Sequence, residues 1–120
     1  MPASSHVHLD VVEGDRSITV RFTDYKVLND DKLELMAQSI SKIADRLAGR
    51  ELRLDFASVE YMQSSVLGKL VALNKKVTSA GSRLVLCNIN DDVFKAFAVT
   101  SLDRMFVIER AESAREGRAG

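Results

Sequence analysis

The stretch from Leu52 to Val77 constrains the fold of this 120-residue chain more than any other part. Its first five residues alternate between apolar and charged side chains, which is the period-2 pattern of a β-strand. After a short polar turn, apolar residues recur at Val66, Leu70, Leu73 and Val77, a spacing typical of an amphipathic helix. The stretch therefore predicts a strand, a loop and a helix in direct succession.

Two adjacent serines, Ser64 and Ser65, stand where the predicted loop meets the helix N-terminus. Backbone N–H groups are unpaired at this end of a helix, and the helix dipole favours an anion there. Serine is also among the best N-cap residues. The residues alone leave two interpretations open: the hydroxyls cap the helix, or one of them is a chemically modifiable switch.

Strands and helices alternate through the rest of the chain. Asn29 and Asn90, each followed by two aspartates, predict helix N-caps, and Gly49 and Gly81 predict helix ends. Strands are predicted near 7–13, 17–22, 52–56, 83–89 and 105–109, and the run at 83–89 is apolar enough to be buried on both faces. The order β-β-α-β-α-β-α-β predicts a single α/β domain over residues 6–109, with a mixed, mostly parallel five-stranded sheet. We expect residues 1–5 and 111–120 to be disordered termini.

Charge and composition argue against several classes of function. The chain has 17 basic and 17 acidic residues, and this balance disfavours a nucleic-acid or membrane-surface binder, which needs a positive field. No apolar run approaches the roughly 20 residues that span a bilayer, and the polar N-terminus lacks a signal peptide's apolar region. We therefore expect a cytoplasmic protein. The single cysteine, Cys87, lies in an apolar run and is expected to be a buried core residue.

A catalytic function would have to use Ser64 or Ser65 as a nucleophile, which needs a base within hydrogen-bond reach. The only histidines, His6 and His8, fall on the predicted exposed face of the first strand. The sequence contains no glycine-flanked nucleophile motif, glycine-rich phosphate loop, dinucleotide fingerprint or paired metal-ligand spacing. We therefore expect a protein that is not an enzyme, acts by binding, and needs no cofactor or metal.

The string from Leu52 to Val77 resembles the central motif of STAS domains, the family of bacterial anti-sigma factor antagonists. The family pattern is a strand ending Asp-hydrophobic-Ser, then Val, a hydrophobic pair, Asp-Ser-Ser-Gly-Leu-Gly and an amphipathic helix. The residues that fit this pattern are Asp55, Phe56, Ser58, Val59, Tyr61, Met62, Ser64, Ser65, Leu67 and Gly68. Gln63 stands in place of the family's aspartate, and Val66 in place of its first glycine. The resemblance spans roughly residues 6–109 and implies the family's fold.

The resemblance also implies a function. In this family the first serine of the pair, here Ser64, is phosphorylated by a partner that is both a serine kinase and an anti-sigma factor. The unphosphorylated form binds the kinase and frees a sigma factor, and the phosphorylated form lets go. The implied partner-binding residues are Gln63, Ser64, Ser65, Val66 and Leu67, and a phosphatase is a further implied partner. Because Val66 and Leu67 face different sides of the predicted helix, we expect one of them to be exposed.

A second interpretation keeps the STAS fold and leaves Ser64 as a helix cap. The domain would then serve as a scaffold in a larger signalling assembly, as a lipid-transport accessory or as a small-ligand sensor.

Overall fold

A mixed β-sheet forms the centre of the computed structural model, which describes residues 5–6, 9–23 and 26–111. This part of the chain contains eight strands, three α-helices and one 3-10 helix. The strands are β1 Ser5–His6, β2 Leu9–Glu13, β3 Ser17–Phe22, β4 Val27–Leu28, β5 Glu51–Asp55, β6 Tyr61–Met62, β7 Arg83–Ile89 and β8 Val107–Arg110. The helices are α1 Asp30–Asp45, α2 Val66–Ser79 and α3 Asp91–Val99, and the 3-10 helix is Leu102–Arg104.

Six strands form the main sheet, in the order β1-β2-β3-β5-β7-β8. The pairs β1–β2 and β2–β3 are antiparallel, whereas β3–β5, β5–β7 and β7–β8 are parallel. Parallel neighbours need a crossover connection, and α1, α2 and α3 each lie in one. The predicted α/β fold is confirmed, because every predicted strand has its counterpart in this sheet. The two-residue β1 adds a sixth strand at one edge.

The hydrophobic core lies on one face of this sheet. Val20, Leu54 and Leu86 are in register across β3, β5 and β7, and none of the three has exposed surface. Leu70 of α2 and Phe97 of α3 belong to the same buried cluster. Burying apolar side chains is the dominant favourable term in folding, at about 25 cal/mol per Å² removed from water, so this face holds the domain together.

Strand β7 is buried along both faces, as its apolar run predicts. Leu84 and Leu86 belong to the core cluster, while Val85 and Cys87 point to the opposite face and are also buried. Successive side chains of a strand alternate between faces, so four consecutive buried residues require cover on each side.

The two predicted asparagine caps are confirmed. The Oδ1 atom of Asn29 accepts a hydrogen bond from the backbone N–H of Lys32 at 2.9 Å, at the start of α1. The Oδ1 atom of Asn90 accepts from the N–H of Val93 at 2.8 Å, at the start of α3. Both bonds are local, so the sequence alone was sufficient to predict them.

The two glycine predictions differ in outcome. Gly81 has a φ of 84° and directly follows Ala80, the C-cap of α2, which is the position where a left-handed glycine ends a helix. Gly49 is not the C-cap of α1, because the helix ends earlier, at Arg46. Instead, Ala48 and Gly49 both adopt positive φ, 52° and 86°, and turn the chain toward β5.

The structure corrects the first and last predicted strands. Of the predicted strand over 7–13, the structure describes Leu9–Glu13 as β2, and His6 of β1 pairs antiparallel with Leu9. Val7 and His8 lie outside the described residues. The predicted exposure of His6 also falls on a side chain that the structure does not describe. At the other end, β8 begins at Val107 rather than at residue 105, because the 3-10 helix occupies the preceding residues.

A small second sheet was not predicted. Val27 pairs with Tyr61 and Leu28 with Met62, in parallel, to join β4 and β6. Two residues are too short for a periodic signal, so the sequence gives no indication of this pairing.

Parts of the predicted termini are ordered in the structure. Ser5 pairs with Asp10 in the sheet, and the N–H of Ala111 donates to the carbonyl of Ile89 at 2.9 Å. Residues 1–4 and 112–120 lie outside the described part. Among the helices that the structure does describe, none has the length and apolar character needed to cross a bilayer.

Cys87 is buried, as expected, with 7% of its surface exposed, and its Sγ lies 3.5 Å from the carbonyl oxygen of Leu54. Burial raises the pKa of the thiol, and the negative charge of Asp55 raises the pKa further. Because the thiolate is the reactive species, we expect labelling of the native protein by a thiol reagent at pH 8 to be much slower than after denaturation. Equal labelling rates in the two states would contradict this burial.

Candidate functional site

Ser64 and Ser65 form an exposed turn between β6 and α2. The N–H of Val66 donates to the carbonyl of Gln63, and the N–H of Leu67 to the carbonyl of Ser64, both at 3.0 Å. Ser65 occupies the N-cap position with helical angles, φ −64° and ψ −22°, and its side chain makes no capping hydrogen bond. A capping residue normally has extended angles. The turn is therefore closed by backbone bonds, and Ser65 is not a side-chain cap.

The hydroxyl of Ser64 is exposed and makes no hydrogen bond with any residue that the structure describes. Of the two interpretations that the sequence left open, this arrangement favours an accessible hydroxyl over a cap. Such a hydroxyl can be modified without breaking an internal bond.

Asp55, at the end of β5, positions the loop that leads to the serines. Its Oδ1 accepts hydrogen bonds from the N–H of Ala57 at 2.9 Å and from Nδ2 of Asn88 at 2.8 Å. Its Oδ2 lies 3.6 Å from Nε of Arg21. Asn88 has a φ of 57° and sits where the register of β7 against β8 shifts. The buried carboxylate of Asp55 therefore joins the start of the loop to Asn88, where the pairing of β7 with β8 is irregular.

Strands β4 and β6 fix the second half of the same loop. The N–H groups of Glu60 and Tyr61 both donate to the carbonyl of Lys26, at 2.7 and 3.0 Å. The N–H of Gln63 donates to the carbonyl of Leu28 at 3.0 Å. Residues 60–63 are thus bonded to the chain just before α1, and the serine turn begins directly after this attachment.

A shallow surface groove runs from Ser64 to α3. Tyr61 and Val99 are its prominent apolar side chains, with 56% and 82% of their surface exposed. The complete lining is Tyr61, Met62, Ser64, Asp92, Lys95, Ala96, Val99 and Thr100. We call this feature the Ser64 groove. Two exposed apolar side chains in one groove provide apolar surface that a protein partner can cover.

Asn90, at the start of α3, joins that helix to the loop beside the Ser64 groove. Its Nδ2 donates to the carbonyls of Val59 at 3.0 Å and of Glu60 at 3.4 Å. Val59 and Met62 are themselves buried, with 1% and 2% of their surface exposed. The backbone of α3 is therefore fixed relative to the serine turn.

The structure separates the five predicted partner-binding residues into two groups. Gln63, Ser64 and Ser65 are exposed. Val66 and Leu67 are buried, with 0% and 3% of their surface exposed, and both belong to the core cluster. The expectation that one of this pair would be exposed is wrong, because the first turn of α2 lies over the core and encloses both side chains.

Sequence reasoning missed the α3 side of the groove. Asp92, Lys95, Ala96 and Val99 fall at i, i+3, i+4 and i+7, so they share one helix face and the signal was present in the sequence. The sequence did not show that this helix face lies beside Ser64. That position depends on the pairing of β6 with β4 and on the hydrogen bond from Asn90 to Val59.

A second concave region lies between α1 and α2. Its walls include Ala37, Ile40, Leu70 and Leu73, and Leu54 of the sheet forms part of its lining. Its volume is about 200 Å³. Ion pairs join the helices across this region: Lys69 to Glu34 at 3.2 Å and Lys76 to Asp45 at 3.1 Å.

Within residues 5–6, 9–23 and 26–111, no group of three or more histidine, cysteine, aspartate or glutamate side chains is placed to hold a metal ion. The ionisable side chains that line the Ser64 groove are Tyr61, Asp92 and Lys95. The arrangement therefore offers a modifiable hydroxyl beside an apolar surface with one cation and one carboxylate.

Comparisons with known proteins identify the family of this chain. The STAS domain family profile matches residues 31–114, which include β5, the serine turn and α2. This chain belongs to the STAS domain family. STAS anti-sigma factor antagonists are regulatory binding proteins and not enzymes.

Among curated relatives, the chain is 35% identical over 69 residues to the anti-sigma-B factor antagonists of Listeria monocytogenes and Listeria innocua. The aligned part covers 58% of this chain and 60% of each relative. The chain thus spans less than two thirds of the length of the relatives that it matches.

Solved structures share the fold at low sequence identity. An anti-sigma factor antagonist (STAS) domain protein from Planctomyces limnophilus aligns with a TM-score of 0.78 and 18% identity, over 93% of this chain and 98% of that one. The Bacillus protein SpoIIAA aligns in its unphosphorylated form with a TM-score of 0.62 and 16% identity, over 93% and 98% of the two chains. Its phosphorylated form aligns with a TM-score of 0.63 and 18% identity, over 90% and 96%.

Proposed function

We propose that this protein is an anti-sigma factor antagonist that binds an anti-sigma factor of the serine-kinase type and is switched by phosphorylation of Ser64. The observation that carries the proposal is that Ser64 is exposed at the edge of the Ser64 groove and that its hydroxyl makes no hydrogen bond with a residue that the structure describes. The names of the Listeria relatives and of the structural neighbours support the class of partner. A partner of this kind acts on transcription, so we also propose a cytoplasmic location.

The physical chemistry of the site suits a phosphate switch. A phosphate on serine adds about −1.5 to −2 charges at neutral pH and three acceptor oxygens. At the N-terminus of α2 the helix dipole favours this charge, so the domain can accept it without refolding. A partner that covers Tyr61 and Val99 would have to desolvate the same charge, which is costly. The modification can therefore change affinity while leaving the fold unchanged.

The two departures from the family motif, Gln63 and Val66, differ in exposure. Val66 replaces a glycine, but its side chain is buried, so it adds no bulk to the surface that a partner would approach. Gln63 is exposed and neutral, so no carboxylate from this position lies beside the phosphate.

The runner-up function, a STAS module that acts as a scaffold, lipid-transport accessory or small-ligand sensor, is favoured by one observation. The region between α1 and α2 is lined mainly by apolar side chains, including Ala37, Ile40 and Leu73, and ligand sites are typically concave and apolar. In that case the ligand would be small and apolar, and Ser64 would carry no phosphate.

Mass spectrometry after incubation with the candidate kinase and ATP distinguishes the two functions. We expect phosphate on Ser64 in the wild type and in Ser65→Ala, and no phosphate in Ser64→Ala. Ser65→Ala is the matched control, because both serines are exposed in the same turn. An unmodified wild-type protein, or phosphate that persists in Ser64→Ala, would favour the runner-up.

A further inference from the structure

We propose that a phosphate on Ser64 is drawn into the Ser64 groove by the Nζ of Lys95, and so covers the surface between Tyr61 and Val99. This inference rests on the proposed function, because it describes how the phosphorylated state of the same site would be held. It adds a second mechanism of release, since a partner would then have to displace the phosphate from the groove as well as desolvate it.

Lys95 is placed and available for this contact. It lines the same groove as Ser64, from the opposite wall. Its side chain is exposed and forms no ion pair with any residue that the structure describes. The bond from Asn90 to Val59 joins α3 to the loop, and the flexible four-carbon stem of the lysine lets Nζ move while the helix stays in place.

The other charged side chains around the site carry a negative charge, lie outside the groove or are already in an ion pair. Asp92 lines the groove one helical turn before Lys95 and would repel a phosphate. Lys69, on α2, is paired with Glu34 on α1 at 3.2 Å and does not line the groove. Lys26 and Glu60 are exposed on the neighbouring segments and do not line it. Among the described residues that line the Ser64 groove, Lys95 is therefore the one lysine or arginine.

Titration of the phosphate by ³¹P NMR tests this contact directly, in protein that carries phosphoserine incorporated at position 64 during expression. A nearby cation stabilises the dianion and lowers the second pKa of the phosphate below its usual value of about 6, whereas a nearby carboxylate raises it. We expect Lys95→Gln to raise that pKa by about 0.2–0.7 of a pH unit, the size expected for an exposed ion pair. Asp92→Asn should lower it by a similar amount.

Lys75→Gln is the matched control. Lys75 is also an exposed lysine on a helix, but it lies ten residues beyond Ser65, about 15 Å along the axis of α2. That distance exceeds the screening length of about 8 Å at physiological salt, so the pKa should not change. A pKa in Lys95→Gln that matches Lys75→Gln would overturn the proposal.

This outcome is independent of the proposed switch. The phosphate is installed during expression, so a failed kinase reaction leaves the titration valid. A negative titration likewise leaves phosphorylation of Ser64 by the kinase unaffected.

Discussion

Ser64→Asp is expected to weaken binding of the anti-sigma factor partner by at least about 100-fold while the domain remains folded. A buried, unpaired charge costs about 3–5 kcal/mol, and each 1.4 kcal/mol is a factor of ten in affinity. The same charge lies at the N-terminus of α2, where an acid is favourable by about 0.3–1 kcal/mol, so the fold should not suffer. Calorimetric titration with the partner and thermal melting of the free protein measure the two effects separately.

Ser64→Ala is the control for this experiment. It should bind as tightly as the wild type, because the unmodified serine is the proposed binding form. It should also melt at nearly the same temperature, since the hydroxyl makes no hydrogen bond with a described residue. If Ser64→Asp bound as tightly as Ser64→Ala while remaining folded, the charge switch would be ruled out.

Asp55→Ala is expected to lower the free energy of unfolding by about 1–3 kcal/mol, a large part of the 5–15 kcal/mol typical of a domain. The substitution removes the acceptor for two bonds, from Ala57 N–H and from Asn88 Nδ2. Asn88 is half-buried and has a left-handed backbone, so it loses the bond that anchors it. Urea unfolding followed by circular dichroism measures the change.

Two variants separate the hydrogen bonds of Asp55 from its charge. Asp55→Asn keeps an acceptor oxygen and should lose less than half as much stability as Asp55→Ala. Arg21→Gln removes the ion pair to Asp55, in which the Arg21 side chain is 54% exposed, and exposed pairs contribute about 0–1 kcal/mol. Equal losses in Asp55→Ala and Arg21→Gln would show that the hydrogen bonds do not anchor the loop.

The features that the sequence predicted correctly depend on neighbours in the chain. The alternation in β3 and β5 and the helical spacing in α1 reflect burial on a single face, which each segment shows by itself. The caps at Asn29 and Asn90 depend on a residue three positions later. In the candidate site, the same local reasoning placed Ser64 and Ser65 between a loop and a helix.

The features that the sequence could not predict depend on distant residues. Strands β4 and β6 are two residues each and pair Val27 with Tyr61, across 34 positions, so neither has a local pattern. The burial of both Val66 and Leu67 depends on how α2 lies over the core. Lys95 and Val99 line the Ser64 groove because α3 packs on the core through Phe97 and is bonded to the loop before β6 through Asn90.

The attachment of residues 60–63 to the carbonyls of Lys26 and Leu28 has a thermodynamic consequence for recognition. A flexible loop that becomes ordered in a complex loses conformational entropy, at about 1–2 kcal/mol for each residue whose backbone is fixed. Here that ordering is already complete in the free domain, so the loop is preorganised for its partner. More of the contact energy therefore remains as affinity.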